Sequence, residues 1–314
     1  MAAADGRFRR PAMGAQAEAE AQGVMLSQQI INGVMLGAIY MLVAVAFTLA
    51  IGVLNFLNFS IPGLFMLGGM VSFGLLKGGW PAIAAFAGSL AAAGFVSLLV
   101  ERFAYRTAQG GDPEVPLVTS LGFLVLLENL MLIAYGSDQQ AFPALLPDLN
   151  LRLGGLVIGI AQMISLGLSL GLVLLISWYL NATNAGRRVR TVAENRETAL
   201  LLGIDISRLV PQLFVASALL AALAGILFAV NYQQVSPFMG EGVGFKGVAA
   251  MIVGGMGSIW GAVLGGLLIG LAEVLSISYL GADVVNISVY GLLLLILIVR
   301  PQGLLGRAAR REKL

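Results

Sequence analysis

The chain has 314 residues, 59% of them hydrophobic and only 11% charged, with a mean hydropathy of +0.93 and a formal net charge of +2. A soluble domain carries about 25% charged residues, so this composition excludes a soluble enzyme, a disordered protein and a nucleic-acid-binding domain and leaves a polytopic membrane protein. The lack of Cys removes disulfide and thiol chemistry, and the lack of His removes the Ser-His dyad, His metal sites and the usual proton shuttle.

Arg7, Arg9 and Arg10 are not followed by a short apolar stretch and a cleavage site, so they do not open a signal peptide. Residues 1–27 read as a flexible N-terminal tail; the alternative is an upstream start codon with the core beginning near Met25. A membrane helix needs about 20 mostly apolar residues. In chain order the apolar runs are Ile30–Leu54, a short Gly-rich Ile61–Leu76, Trp80–Val100, Val115–Tyr135, Leu156–Leu180, Leu209–Val230, a short Gly-rich Gly247–Met256, Trp260–Leu280 and Val284–Val299. The runs are continuous rather than alternating, which argues against strands and a barrel. The fold class is all-α polytopic membrane protein, with eight or nine membrane helices, two of them short or broken. One transmembrane domain covers residues 28–306, and residues 307–314 form a basic cytoplasmic tail.

Most of the 18 basic residues fall in three segments: Arg102 and Arg106; Arg187, Arg188, Arg190, Arg196 and Arg208; and Arg300 with Arg307, Arg310, Arg311 and Lys313. The loops between, Gly136–Asn150, Asn231–Gly244 and Gly281–Asp283, hold acids and no Lys or Arg. The basic segments therefore face the cytoplasm, the C-terminus included. Nine crossings put the N-terminus outside; eight, with one segment re-entrant, put it inside.

The stretch Met66-Leu67-Gly68-Gly69-Met70 echoes Ile252-Val253-Gly254-Gly255-Met256. Each follows a long span and a polar break, Asn55–Ser60 in one half and Asn231–Ser236 in the other, and each precedes a Trp, Trp80 or Trp260. Paired Gly-interrupted segments in corresponding halves point to a transporter's binding site, where freed backbone groups line a cavity. Within spans, Glu128 beside Asn129 should face the bundle or a wet pathway, because a carboxylate at a helix centre costs about 2.5–3.5 kcal/mol. Glu273 reads as a structural partner of Lys246. No paired-carboxylate relay is visible.

The connector from Gly186 to Arg208 is patterned. Asn195 N-caps a short helix with Glu197 in its first turn, and Gly203 suits the left-handed position after it, followed by Ile204. The product is a helix of about two turns, basic before it and apolar along one side. Such a helix lies on lipid headgroups or docks in a groove of a soluble partner.

Glu197-Thr198-Ala199, three residues, Gly203, then Leu209-Val210-Pro211 resembles the Glu-Ala-Ala…Gly…Pro coupling loop of ABC importer permeases, with Thr198 in place of the central Ala. The opening Gln29–Leu42, Glu101–Arg106, Gly254–Ser258 and the ending Arg300–Gly306 are similar to the LivH-type permeases of branched-chain amino acid ABC transporters, the hydrophobic amino acid uptake family. The resemblance covers residues 28–306. Two positions depart from it. Asn58-Phe59-Ser60-Ile61-Pro62-Gly63 lacks the family's His, and Glu128-Asn129 stands where Gln-Asn is common. The resemblance implies branched-chain or other hydrophobic amino acids as solutes, with urea, amides or small carboxylates as the alternative.

The resemblance implies half of a translocation pathway in the inner membrane, driven by separate subunits that bind ATP and Mg. The chain itself has no Gly-x-x-x-x-Gly-Lys-Ser/Thr loop; it reads as no enzyme and carries no cofactor. The implied partners are a second homologous permease, two ATP-binding subunits, an extracytoplasmic solute-binding protein and membrane lipid, with no nucleic acid. Glu197, Thr198, Ala199 and Gly203 would couple to the ATPase, moving as a lever. Asn55, Asn58, Ser60, Glu128, Gln233 and Gln234 would line the pathway; the alternative is helix-end capping, and for Glu128 a protonated, hydrogen-bonded side chain buried at a helix contact. The outer loops are candidate docking surfaces for the binding protein. A secondary transporter or channel would use the same polar breaks without needing the cytoplasmic helix.

Overall fold

The computed structural model describes residues 13–306 apart from 55, 108–111, 113, 146–149 and 154–155. The helices are α1 (Met13–Leu54), α2 (Ser60–Lys77), α3 (Ala82–Val100, prolonged by a π-helical turn, Glu101–Arg106), α4 (Glu114–Tyr135), α5 (Ile160–Ala182), α6 (Asn184–Glu194), α7 (Arg196–Leu201), α8 (Ile206–Tyr232), α9 (Met239–Gly254), α10 (Ile259–Tyr279) and α11 (Val285–Val299). Eight of these described helices are long and apolar enough to cross a membrane, α11 together with the 3-10 turn before it (Ala282–Val284). The ninth crossing is α9, whose 16 residues are too few by that measure.

Contacts between chain ends set the alternation. The Gln28 side chain donates to the Val157 carbonyl and accepts from the Val157 N–H, both at 2.8 Å, so the start of α1 lies beside the start of α5. Strand β1 (Gln140–Ala141), after α4, pairs antiparallel with β4 (Gln234–Val235), after α8. Phe73 near the end of α2 packs on Tyr135 at the end of α4. These make one end of the bundle. At the other, Arg196 of α7 donates to the Tyr105 hydroxyl, and the Leu304 and Leu305 N–H groups donate to the Val253 and Gly254 carbonyls at 2.9 Å. So α9 joins the two ends, nine of the described helices run between them, and α1 begins at the end opposite α6 and α7.

Helices α1–α4 and α8–α11 repeat one order in opposite sense: long helix, polar break, short helix, two further helices. The echo therefore marks corresponding elements, but its glycines are not equivalent. Gly68 and Gly69 sit in mid-helix, whereas Gly254 ends α9 and Gly255 turns out of it at φ 108°. Both short helices begin inside the bundle, where Gly240 and Gly244 of α9 lie against Pro62 in the first turn of α2.

Small residues set the closest approach. Gly33 and Gly37 on α1 face Gly266 and Gly270 on α10, four residues apart on each helix; a Cβ on Gly266 would lie 2.4 Å from the Met41 nitrogen. Without a hydrophobic drive between helices in lipid, such contact and hydrogen bonds hold the bundle. Ser89 and Ser97 on α3 accordingly donate to the carbonyls of Gly68 and Phe214, each at 2.7 Å. In α1, 83% of the apolar window is buried, against 17% in α5 and α11, so α1 is central and those two are peripheral.

Four expectations are corrected. Residues 13–27 continue helix α1 rather than forming a flexible tail; residues 1–12 lie outside the described part, as does the basic tail 307–314. Leu156–Gly159 is not the start of a span but strand β3, in a hairpin with β2 (Asn150–Leu153); the apolar run conceals it because two of its four residues are also good strand formers. Arg152 on β2 and Lys77 at the end of α2 put basic residues at the end that holds the acidic loops. The segment expected at Gly247–Met256 starts eight residues earlier, at Met239, because Glu241 sits exposed in the first turn, where an acid is favourable, and Lys246 is paired with Glu273.

Candidate functional site

At the basic end, Thr183 caps α6, its hydroxyl accepting from Gly186 N–H at 3.0 Å. One residue, Asn195, separates α6 from α7 and caps the latter, its Oδ1 accepting from Thr198 N–H at 2.9 Å, with Glu197 in the first turn. Gly203 closes the helix at φ 75°, and Ile204 N–H returns to the Ala199 carbonyl at 3.0 Å. This is the N-cap and left-handed terminator that the residue types predict. The helix is anchored by one face: Ala199 is fully buried, while Leu201 is 88% exposed and Leu200, Leu202, Glu197 and Thr198 are exposed too. Its first residue, Arg196, bonds the Tyr105 hydroxyl at 3.1 Å, and the Tyr105 ring stacks on Phe56 in the break before α2. At the start of α8, Asp205 accepts from the Ser207 hydroxyl and N–H; that hydrogen bonding holds its carboxyl below the usual range.

The two polar breaks behave differently. Asn58 is buried, and its Oδ1 accepts from the Ser60 N–H at 3.1 Å and the Ser60 hydroxyl at 2.7 Å, so it organises the start of α2. Its Nδ2 has no partner among the described residues. Phe59 N–H donates to Ser120 on α4, two turns before Glu128 on the same buried stripe. Glu128 is also buried, with Oε1 unpartnered among the described residues. Asn55 lies outside the described residues. Gln233 takes the left-handed conformation, φ 53°, to end α8, and its carbonyl accepts from Phe142 N–H at 2.9 Å. Gln234 sits on β4, exposed.

A cavity of about 470 Å³ opens at the end opposite α7, among α1, α8, α9 and α10. Gln234 lines it; Asn58, Ser60, Glu128 and Gln233 do not. Its charged groups are Lys246 and Glu273, whose Nζ and Oε1 are 2.5 Å apart, and Tyr40 donates its hydroxyl to Glu273 Oε2 at 2.6 Å. The expected Lys246–Glu273 pair is present. Tyr40 was the missed member; the signal is a lone hydroxyl-bearing ring in the otherwise apolar stretch from Leu36 to Phe47. Also missed was the outward display of Leu200, Leu201 and Leu202, although three successive leucines cannot share one helical face.

The model of a family described as the branched-chain amino acid transport system permease component matches residues 29–299. The high-affinity branched-chain amino acid transport system permease protein BraD of Pseudomonas aeruginosa is 33% identical over 294 residues, covering 89% of this chain and 95% of that protein. LivH of Escherichia coli, named as a permease of the same kind of system, is 32% identical over 299 residues with the same coverage. A fructose import permease, FrcC of Rhizobium meliloti, is 29% identical over 185 residues, 54% of this chain and 49% of that one.

Proposed function

From the premise that the chain belongs to the branched-chain amino acid transport permease family, as a multi-pass permease subunit of an ABC importer and not an enzyme, we propose that it forms half of an inner-membrane pathway for branched-chain or other hydrophobic amino acids. A second homologous permease completes the pathway, two ATP-binding subunits drive it, and an external solute-binding protein delivers the solute. ATP and Mg belong to the driving subunits. The basic end of the bundle faces the cytoplasm and the start of α1 faces outside, in keeping with the distribution of Lys and Arg.

The observation that carries the coupling part is the form of α7. It is fixed at both ends by a cap and a glycine terminator, anchored through Ala199, and turns Glu197 and an apolar patch, Leu200–Leu202, away from the bundle. An exposed apolar patch beside the membrane end suits a groove on a partner. The Arg196–Tyr105–Phe56 contacts give α7 a packed connection to the break before α2, so a push on α7 reaches the helices that frame the pathway. Asn55, Asn58, Ser60 and Glu128 then serve the pathway's inner half and Gln233 and Gln234 its outer mouth. The unpartnered buried atoms of Asn58 and Glu128 support this, since buried polar groups ordinarily find partners.

The test is ATP-dependent uptake of leucine in proteoliposomes holding all subunits. Leu201→Asp and Glu197→Lys, both on exposed positions, should lower uptake at least tenfold while the chain keeps its melting temperature. Unchanged uptake refutes the coupling role, and uptake by this chain without the ATP-binding subunits refutes the importer mechanism.

A further inference from the structure

The cavity between α1, α9 and α10 has a charge arrangement that the importer reading leaves unused. Lys246 and Glu273 meet there with side chains only 14% and 11% exposed, and both line the cavity. Glu273 takes one hydrogen bond on each oxygen, from Lys246 and from Tyr40. A carboxylate has about four lone-pair sites and an ammonium three donors. Lys246 thus retains donors and Glu273 retains acceptor sites beside a space of about 470 Å³, within the usual size of a small-molecule site. The pair is neutral as a whole. An anion or a cation entering would leave a net charge in a poorly solvated place, which is costly; a molecule with both charges would not. Part of the remaining wall is apolar and aromatic, with Phe228 and Tyr232 stacked at 4.5 Å between centroids beside Val243 and Ile277; Gln139, Gln234 and Ser236 line the rest with polar groups.

We propose that this cavity binds a small zwitterion with an aliphatic side chain, its carboxylate on the Lys246 ammonium and its ammonium on Glu273, with the side chain against Phe228, Val243 and Ile277. The site rests on the ion pair and the cavity; the choice of leucine as probe rests on the import reading above. Tyr40 is a positioning residue, holding Glu273 with its second oxygen engaged. The cavity lies at the end of the bundle where solute would arrive.

The experiment uses the full chain in nanodiscs of phosphatidylglycerol, so that no zwitterionic lipid competes. Binding of radiolabelled L-leucine is measured against L-leucinamide, which lacks the carboxylate, and 4-methylpentanoate, which lacks the ammonium. Leucine should bind at least tenfold more tightly than either. Two variants probe the site. A Cβ at Gly242 meets nothing within 4 Å, so Gly242→Leu fills the cavity without a backbone clash. Lys246→Met with Glu273→Gln removes both charges and leaves Tyr40 an acceptor. Each should weaken leucine binding at least tenfold with the melting temperature kept. Equal affinity for the three probes, absence of leucine binding to the wild-type chain, or unchanged binding in Gly242→Leu overturns the site. Displacement of leucine by added phosphatidylethanolamine overturns it in favour of a lipid headgroup. ATP-dependent uptake by the full complex separates the two levels. Uptake unaffected by Gly242→Leu removes the site and leaves the import reading; a complex that takes up no leucine, though its chain binds leucine selectively, removes the import reading and leaves the site.

Discussion

The backbone contact between α1 and α10 gives a sharp stability prediction. In Gly266→Ala the new Cβ would sit 2.4 Å from the Met41 nitrogen and 2.5 Å from its Cα. Both are backbone atoms, so no rotamer change relieves the clash. Ordinary contact begins near 3.4 Å, so α1 and α10 must part by about 1 Å. A gap of about 0.5–1 Å forfeits a quarter to a half of each contact's dispersion energy, and overpacking of this kind costs about 1–3 kcal/mol. Against it stands the helix preference for Ala over Gly, about 1 kcal/mol. A control removes that term: Gly171 in α5 has nothing within 4 Å of an added Cβ, so Gly171→Ala carries the propensity gain alone. The difference between the two variants should be about 1–3 kcal/mol, with Gly266→Ala the less stable. The assay is the folded fraction of purified protein against SDS mole fraction in mixed micelles. If Gly266→Ala unfolds at the same SDS fraction as Gly171→Ala, the two helices are not held at backbone contact and the packing account is wrong.

Removing the α7 cap with Asn195→Ala should cost about 0.5–2 kcal/mol of local helix stability, and Gly203→Ala about 1–2 kcal/mol for the left-handed backbone alone, since its Cβ would touch nothing. Both should lower ATP-dependent uptake several-fold with little change in the SDS midpoint; a fall in the midpoint with uptake intact would mean that α7 serves the fold rather than coupling. Glu273→Leu leaves Lys246 unpaired and deprives Tyr40 of its acceptor, a loss of about 3–5 kcal/mol for a broken buried pair, whereas Glu273→Leu with Lys246→Met should recover most of it. A double-mutant cycle in the same SDS assay that returned additive costs would show the two side chains to be uncoupled.

Composition and run length were enough to specify a helical membrane bundle, because the requirement that backbone groups be satisfied inside lipid leaves little choice once the apolar stretches are long. The cap at Asn195 and the terminator at Gly203 were equally readable, since both depend on a few adjacent residues. So was the Lys246–Glu273 pair, from the cost of leaving either charge alone in a membrane. What local pattern did not carry was anything that depends on which surfaces meet. The start of α9 at Met239 was hidden because Glu241 and Lys246 look wrong for a span until the protein around them is known. The strand at Leu156–Gly159 was hidden because an apolar run of four is compatible with either structure, and only its partner Asn150–Leu153 decides. Gly68-Gly69 and Gly254-Gly255 read alike, yet packing against α8 keeps one pair helical while the contact with Gly303 and Gly306 turns the other out of its helix. The side on which α1 begins, and the meeting of Tyr40 with a carboxylate 233 positions away, follow from long-range packing, which no window of neighbouring residues encodes.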